Sequence, residues 1–131
     1  MGFFISLNFH NEDNLVGYKK DSSPWLTSVS RDQSCVVSHI YNKAIDPTSI
    51  QLNLSINGEE QTKMLYESVH KIPRILEHLT KYMTINKGDV LMTGSPFFNT
   101  LPLKAGDHIS GRLFYDQRAM IKTETYIIKR E

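Results

Sequence analysis

The 131-residue sequence predicts a β-rich α+β fold with one main helix at about residues 72–83. Apolar and polar residues alternate over residues 50–56, which is the pattern of a strand with one buried face. Asn57 and Gly58 follow at once, and this pair is the strongest short signal for a β-hairpin because both residues tolerate positive φ. Residues 72–83 carry apolar side chains at helical spacing, and Pro73 suits the first helical turn. These patterns favour several strands around a single amphipathic helix.

The chain before the hairpin has weaker patterns. Residues 3–5 are apolar and predict a buried first strand. Residues 8–24 are polar and predict a surface loop or a frayed helix. Residues 25–41 are mixed, with an apolar centre that contains Cys35. We expect this cysteine to be buried and inert, rather than to act as a thiol with His39 as its base.

The chain after the hairpin alternates turns with apolar segments. The turn at residues 87–89 leads into residues 90–92, a short apolar run that predicts a strand buried on both faces. Similar turns at residues 105–107 and 116–118 separate further apolar segments. The remaining predicted strands span residues 62–66, 109–115 and 121–127.

Composition excludes several classes of partner. The apolar share is 40% and the charged share 22%, which is typical of a globular chain. The formal net charge is +1 with scattered Lys and Arg, so we expect no nucleic-acid partner. No segment approaches the roughly 20 apolar residues of a membrane helix, so we expect no membrane partner. The single cysteine cannot form an internal disulfide. These features predict a soluble intracellular protein, most simply cytoplasmic, with one domain over residues 1–131.

Five short segments together resemble the fumarylacetoacetate hydrolase family. They read Ile56-Asn57-Gly58-Glu59, Ile72-Pro73, Lys87-Gly88-Asp89-Val90, Thr93-Gly94-Ser95-Pro96 and Leu103-Lys104-Ala105-Gly106-Asp107. Their order and spacing are similar to the family's V-N-G-E, I-P, P-G-D-V, T-G-T-P and L-K-P-G-D. The resemblance covers the C-terminal part of the family fold and implies a truncated mixed β-sandwich or roll. It also implies that the N-terminal segment with two metal ligands is missing.

The resemblance implies a chemistry that most of these residues do not support. The family cleaves or decarboxylates β-diketo or oxo acids with a divalent cation on three carboxylates. Two of them come from a Glu-x-Glu, and this sequence has no acidic pair at i, i+2. The third carboxylate falls on Asn8, and the family's lysine falls on Val29. Asp32 and the segment Thr93, Gly94, Ser95 and Pro96 remain as a vestigial pocket.

The sequence therefore favours a catalytically inactive member of this family, a pseudoenzyme with no cofactor. We expect it to act as a homodimer or by binding a protein partner. Phe97 and Phe98 replace the family's small residues after the pocket segment. They form either a contact surface or a plug in the vacated pocket.

Two alternatives stay open. The chain is otherwise a divergent metal-dependent hydrolase or decarboxylase of a β-diketo or oxo acid. It would then hold Mg²⁺ or Mn²⁺ with Asn8, Asp32 and Glu12 or Asp13, or with carboxylates from a partner chain. The second alternative is an unrelated small β-rich interaction module.

Overall fold

The computed structural model describes residues 2–42, 46, 49–65, 71–97 and 102–128. Within these ranges the strands are β1 (Ser6–Asn8), β2 (Cys35–Val37), β3 (Ile50–Ile56), β4 (Glu59–Met64), β5 (His108–Tyr115) and β6 (Arg118–Tyr126). The helices are α1 (Glu12–Lys20), α2 (Leu26–Val29) and α3 (Ile72–Leu79). Strands outnumber helices, and the predicted β-rich fold class is confirmed.

Four strands form one antiparallel sheet in the order β4-β3-β5-β6. The predicted hairpin at its edge is confirmed: Asn57 and Gly58 have φ of 52° and 89°, and they join β3 to β4. The returning strand begins at Glu59 instead of residue 62, because this two-residue turn leaves no further loop. Asp116 and Gln117, with φ of 50° and 63°, make a second tight turn between β5 and β6.

A second, two-stranded sheet covers one face of the first. Strand β1 pairs antiparallel with β2, and side chains of β1 reach into the core. The buried apolar residues are Ile5, Leu7, Ile50, Ile109, Leu113 and Ile121. Gly111 lies under this contact, since a Cβ there would be 3.1 Å from the Ile5 Cγ2. The missing side chain lets β1 lie close to the sheet.

Two turns that are distant in sequence are joined at one end of the sheet. The Asn57 Nδ2 donates to the Asp107 Oδ1 at 2.9 Å, and the His108 N–H donates to the Asn57 Oδ1 at 2.9 Å. The Lys104 N–H donates to the Asp107 Oδ2 at 2.7 Å. This N–H, followed by the Asn57 amide, lowers the pKa of Asp107 below its ordinary value. Two segments that carry the family resemblance are thus bound to each other.

The main helix is shorter than predicted. Helix α3 ends at Leu79, whereas the sequence predicted about residue 83. The N–H groups of Lys81 and Tyr82 donate to the carbonyls of His78 and Leu79, three residues back in each case. Such bonds tighten the final turn, so the regular helix stops there. None of the helices in the described ranges has the length and apolar character needed to cross a membrane.

The strand predicted at residues 90–92 is wrong. These residues form no strand, and Val90 and Met92 are 61% and 46% exposed. A short apolar run resembles a buried strand only if something covers it on both faces. The described residues leave this segment largely uncovered.

Two corrections concern the N-terminal part. Polar residues 8–24 contain helix α1, so the helical alternative holds; Asn11 caps it by accepting the Asn14 N–H at 2.9 Å. Cys35 is exposed, so the prediction of a buried cysteine is wrong. The first strand is Ser6–Asn8 rather than residues 3–5, although Ile5 is buried as expected.

Candidate functional site

Backbone hydrogen bonds bring three of the predicted positions into one region. Asn8 ends β1 opposite Cys35 of β2. Just beyond it, the Phe9 N–H donates to the Ser34 carbonyl at 2.8 Å, and the Asn11 N–H donates to the Ser28 carbonyl at 2.9 Å. Val29 and Asp32 lie in the chain between these two acceptors. The segment after β1 is therefore fixed against the loop that carries both residues.

The side chain of Asn8 is already engaged. The Ser6 Oγ donates to the Asn8 Oδ1 at 2.8 Å, and the same hydroxyl lies 3.2 Å from the Cys35 Sγ. A hydroxyl, an amide and a thiol thus share the exposed face of the β1–β2 pair, while Leu7 faces the core. This set of groups carries no carboxylate.

The divalent cation that the resemblance implies does not fit this set. Mg²⁺ and Mn²⁺ favour carboxylate and other oxygen ligands, and negative charge offsets the cost of their dehydration. Asn8 is neutral, and its amide oxygen is occupied by the Ser6 hydroxyl. Across the described ranges, no three His, Cys, Asp or Glu side chains are grouped to hold a metal ion.

Val29 and Asp32 differ in what they offer. Val29 ends α2 next to Ser28, which is fully buried and donates its hydroxyl to the Trp25 carbonyl at 2.5 Å. Its half-buried apolar side chain cannot donate or accept a proton. Asp32 is exposed in the turn between Arg31 and Ser34. Of the two, only Asp32 retains an ionisable group.

The rest of the predicted pocket lies on a different segment. Thr93, Gly94 and Ser95 are exposed, and they follow no strand because residues 90–92 form none. The Ser95 hydroxyl has local contacts, with the Phe97 N–H at 3.2 Å and the Phe97 carbonyl at 3.3 Å. Phe97 and Pro96 are half-buried, and Phe98 lies outside the described residues. The observed hydrogen bonds unite Asn8, Val29 and Asp32 but do not extend this unit to Thr93–Pro96.

Sequence reasoning missed one charged pair beside Asn8. The His10 Nε2 lies 2.6 Å from the Glu12 Oε2, with about a third of the His10 side chain exposed. Glu12 is in the first turn of α1, where the helix dipole favours an acidic residue. The capping pattern from Asn11 could have indicated a helix start at this point. The contact itself has no sequence signal, because it depends on the direction of β1 into the helix.

Exposed apolar side chains are concentrated after the main helix. None of the residues of α3 is buried, despite its amphipathic sequence. The exposed apolar residues that follow are Tyr82 (75%), Met83 (56%), Ile85 (37%), Val90 (61%) and Met92 (46%). We call residues 82–92 the apolar segment. An exposed apolar surface of this kind is typical of protein contacts.

Comparison with known proteins agrees with the fold. Residues 12–121 match the family model described as fumarylacetoacetate (FAA) hydrolase C-terminal. The chain is 32% identical to the oxaloacetate tautomerase YcgM of Escherichia coli, over 83% of this chain and 51% of that protein. It is 33% identical to the mitochondrial oxaloacetate tautomerase oaa1 of Schizosaccharomyces pombe, over 98% of this chain and 59% of that protein.

A solved structure supports the same architecture. The crystal structure of yeast ynq8, a fumarylacetoacetate hydrolase family protein, superposes with a TM-score of 0.86 over 98% of this chain and 56% of that chain. Its sequence identity is 21%, so this match shows the fold alone. The chain spans about half the length of the curated relatives it matches.

Proposed function

The chain belongs to the fumarylacetoacetate hydrolase family, and on that premise we propose that it is a non-catalytic member that acts by self-association. Residues 1–131 would form one domain of this fold, and two copies would form a homodimer. The single observation that carries the proposal is the state of Asn8. At the position of a metal-binding carboxylate there is a neutral amide that accepts a hydrogen bond from Ser6 at 2.8 Å.

Charge is the physical basis for the loss of catalysis. A hard dication is held by carboxylates because their charge compensates for the water it loses. Replacement of an acid by Asn8 removes one of these charges, and Val29 removes a group that could hold a proton. Asp32 alone cannot replace either contribution. We therefore expect neither tight Mg²⁺ or Mn²⁺ binding nor turnover of oxo acids.

The apolar segment supports self-association. Tyr82, Val90 and Met92 are among its exposed members. Full burial of one large apolar side chain contributes about 1.5–3 kcal/mol, so covering several of them offsets much of the cost of association. A second copy is always available at the concentration of the protein itself, which makes a symmetric homodimer the simplest way to cover this surface. A different protein partner would use the same apolar contacts.

The exposed thiol of Cys35 also bears on where this dimer would act. A free, exposed cysteine is compatible with a reducing compartment, where it is not driven into disulfides. We place the protein inside the cell for this reason.

The named relatives support one alternative function. Two proteins about one third identical to this chain are called oxaloacetate tautomerases. The chain would then interconvert the keto and enol forms of oxaloacetate or a similar oxo acid. Asp32 would contribute to the site, and a second polypeptide would supply the absent carboxylates.

Metal titration and turnover distinguish the two functions. Calorimetry with Mn²⁺ should give no binding tighter than about millimolar, the weak end of protein calcium and magnesium sites. Oxaloacetate tautomerisation should proceed at the uncatalysed rate with or without Mn²⁺. Turnover that is lost in Asp32→Ala would contradict the proposal and favour the enzyme.

A gain-of-function pair tests the role of Asn8 directly. Asn8→Asp restores the carboxylate, and it should strengthen Mn²⁺ binding by at least about tenfold over the wild type, since charge dominates the affinity of such sites. Asn14→Asp adds the same charge on the exposed surface of α1 and is the matched control. Equal Mn²⁺ affinities for the two variants would show that position 8 is not a vestige of a metal site.

A further inference from the structure

We propose that the homodimer forms through strand β4, which pairs antiparallel with the β4 of a second copy around a two-fold axis at Gln61. The inference rests on the proposed self-association and specifies its interface. Pairing of this kind would join the two four-stranded sheets into one continuous sheet. The proposal follows from the exposure of β4, the alternation of its side chains and the order of its charges.

Strand β4 is the edge of the four-stranded sheet. Within the described ranges it pairs with β3 alone, and all six of its residues are exposed. One row of its backbone N–H and C=O groups therefore faces outward. Such a row is a template for another strand, and natural proteins either protect it or use it for association.

The side chains of β4 alternate between the two faces of the sheet. Thr62 and Glu60 share a face with Asn53, whose Nδ2 donates to the Glu60 Oε2 at 3.1 Å and to the Thr62 Oγ1 at 3.2 Å. Glu59, Gln61 and Lys63 lie on the opposite face, where their partners in β3 are Ile56, Leu54 and Leu52. Directly opposed residues of an antiparallel pair share a face, so only registers that respect this alternation are allowed.

One allowed register is complementary along its whole length. With Gln61 opposite the partner's Gln61, Glu59 faces the partner's Lys63, and Glu60 faces the partner's Thr62. The symmetry repeats each contact, which gives two Glu–Lys pairs, two carboxylate–hydroxyl pairs and one amide pair. Opposite charges across strands stabilise pairing, and like charges oppose it.

The next allowed register is poorer. If Thr62 were opposite the partner's Thr62, Glu60 would face the partner's Met64 and lose its polar contact. The charge order also differs from that of a protected edge. An edge that avoids association carries charges that repel a second copy, whereas β4 has acids at one end and a lysine at the other, so an antiparallel copy is attracted.

Disulfide trapping tests the register in the full chain. In a Cys35→Ser background, Gln61→Cys places two thiols opposite each other, at about the 4.5–5.5 Å Cα separation of paired strands, which suits a disulfide. The matched control is Lys63→Cys in the same exposed strand. Its partner copy would be four residues away, roughly 13 Å along the strand. Mild oxidation should crosslink the Gln61→Cys protein at least about ten times faster than the control, because the control sulfurs are outside bonding range.

Charge reversal tests the attraction. Lys63→Glu and Glu59→Lys should each weaken the dimer at least about tenfold, since each converts two opposite-charge pairs into like-charge pairs. The double variant Glu59→Lys/Lys63→Glu inverts the pairs and should restore the wild-type dissociation constant. Light scattering at several concentrations gives these constants, and circular dichroism checks that each exposed substitution leaves the fold intact.

The outcomes separate this inference from the function on which it rests. A wild-type chain that stays at the 15.1 kDa monomer mass at all concentrations overturns both the self-association and the β4 interface. A wild-type dimer with equal crosslinking of the two cysteine variants, and without response to charge reversal, overturns the β4 interface alone. Self-association would then stand, with the apolar segment as its surface.

Discussion

The contact between the two sheets can be tested at Gly111. A Cβ at this position would lie 3.1 Å from the Ile5 Cγ2, 3.5 Å from the Thr123 Cγ2 and 3.6 Å from the Leu7 Cδ2. The Val side chain in Gly111→Val adds two further methyl groups to this closed space and must push β1 outward. Overpacking of this kind costs about 1–3 kcal/mol. For a chain of this length that is a fall in Tm of about 3–12 °C.

Gly17→Ala is the matched glycine substitution with the opposite expected sign. Gly17 lies in α1, and a Cβ there meets nothing within 4 Å. Alanine should therefore stabilise the chain by about 0.5–1 kcal/mol, because it restricts the unfolded state without a clash. Thermal and urea unfolding followed by circular dichroism give both values. A Gly111→Val protein that melts at or above the wild-type Tm would refute the packing of β1 against the sheet.

Three further predictions concern stability. Ile121 is 1% exposed, so Ile121→Ala should lower the free energy of unfolding by about 2–5 kcal/mol in a urea titration; a smaller loss than Ile→Val typically causes would argue against this core. The pKa of Asp107 is lowered in the fold, so its contribution to stability is present above its ordinary value of 3.8 and is lost as pH falls through the lowered pKa; Asn57→Gly keeps the positive φ, and it should reduce this loss in urea midpoints measured from neutral to acid pH. Val90 is 61% exposed, so Val90→Lys should change the free energy of unfolding by less than about 0.5 kcal/mol; a large loss would restore the buried strand that the sequence predicted there.

The predictable parts of the fold are those with a local cause. Residues 50–56 alternate because one face of β3 packs on the core, and Asn57–Gly58 can adopt the positive φ of the turn. Residues 90–92 carry no such information. A continuous apolar run indicates only that something covers it, and whether a covering element is present depends on distant chain. Cys35 fails for the same reason, since its apolar neighbours belong to a strand whose outer face is exposed.

The candidate site was predictable in its parts but not in its arrangement. The substitutions at Asn8 and Val29 are readable in the sequence, and their consequence for charge follows from chemistry alone. Their proximity depends on the hydrogen bonds from Phe9 and Asn11 to the loop that follows α2. The Ser6 hydroxyl that occupies the amide of Asn8 also comes from folding, because the strand places both side chains on one face.

The hydrogen bond between Asn57 and Asp107 spans fifty positions of sequence and ties off everything between them. Strand β4, helix α3 and the apolar segment form an excursion that leaves the sheet and returns at its own starting corner. Changes within this excursion can alter what the protein touches while the knot at its base keeps β3 and β5 in register. A lineage can thereby discard one activity and acquire another surface without dismantling the framework that carries it.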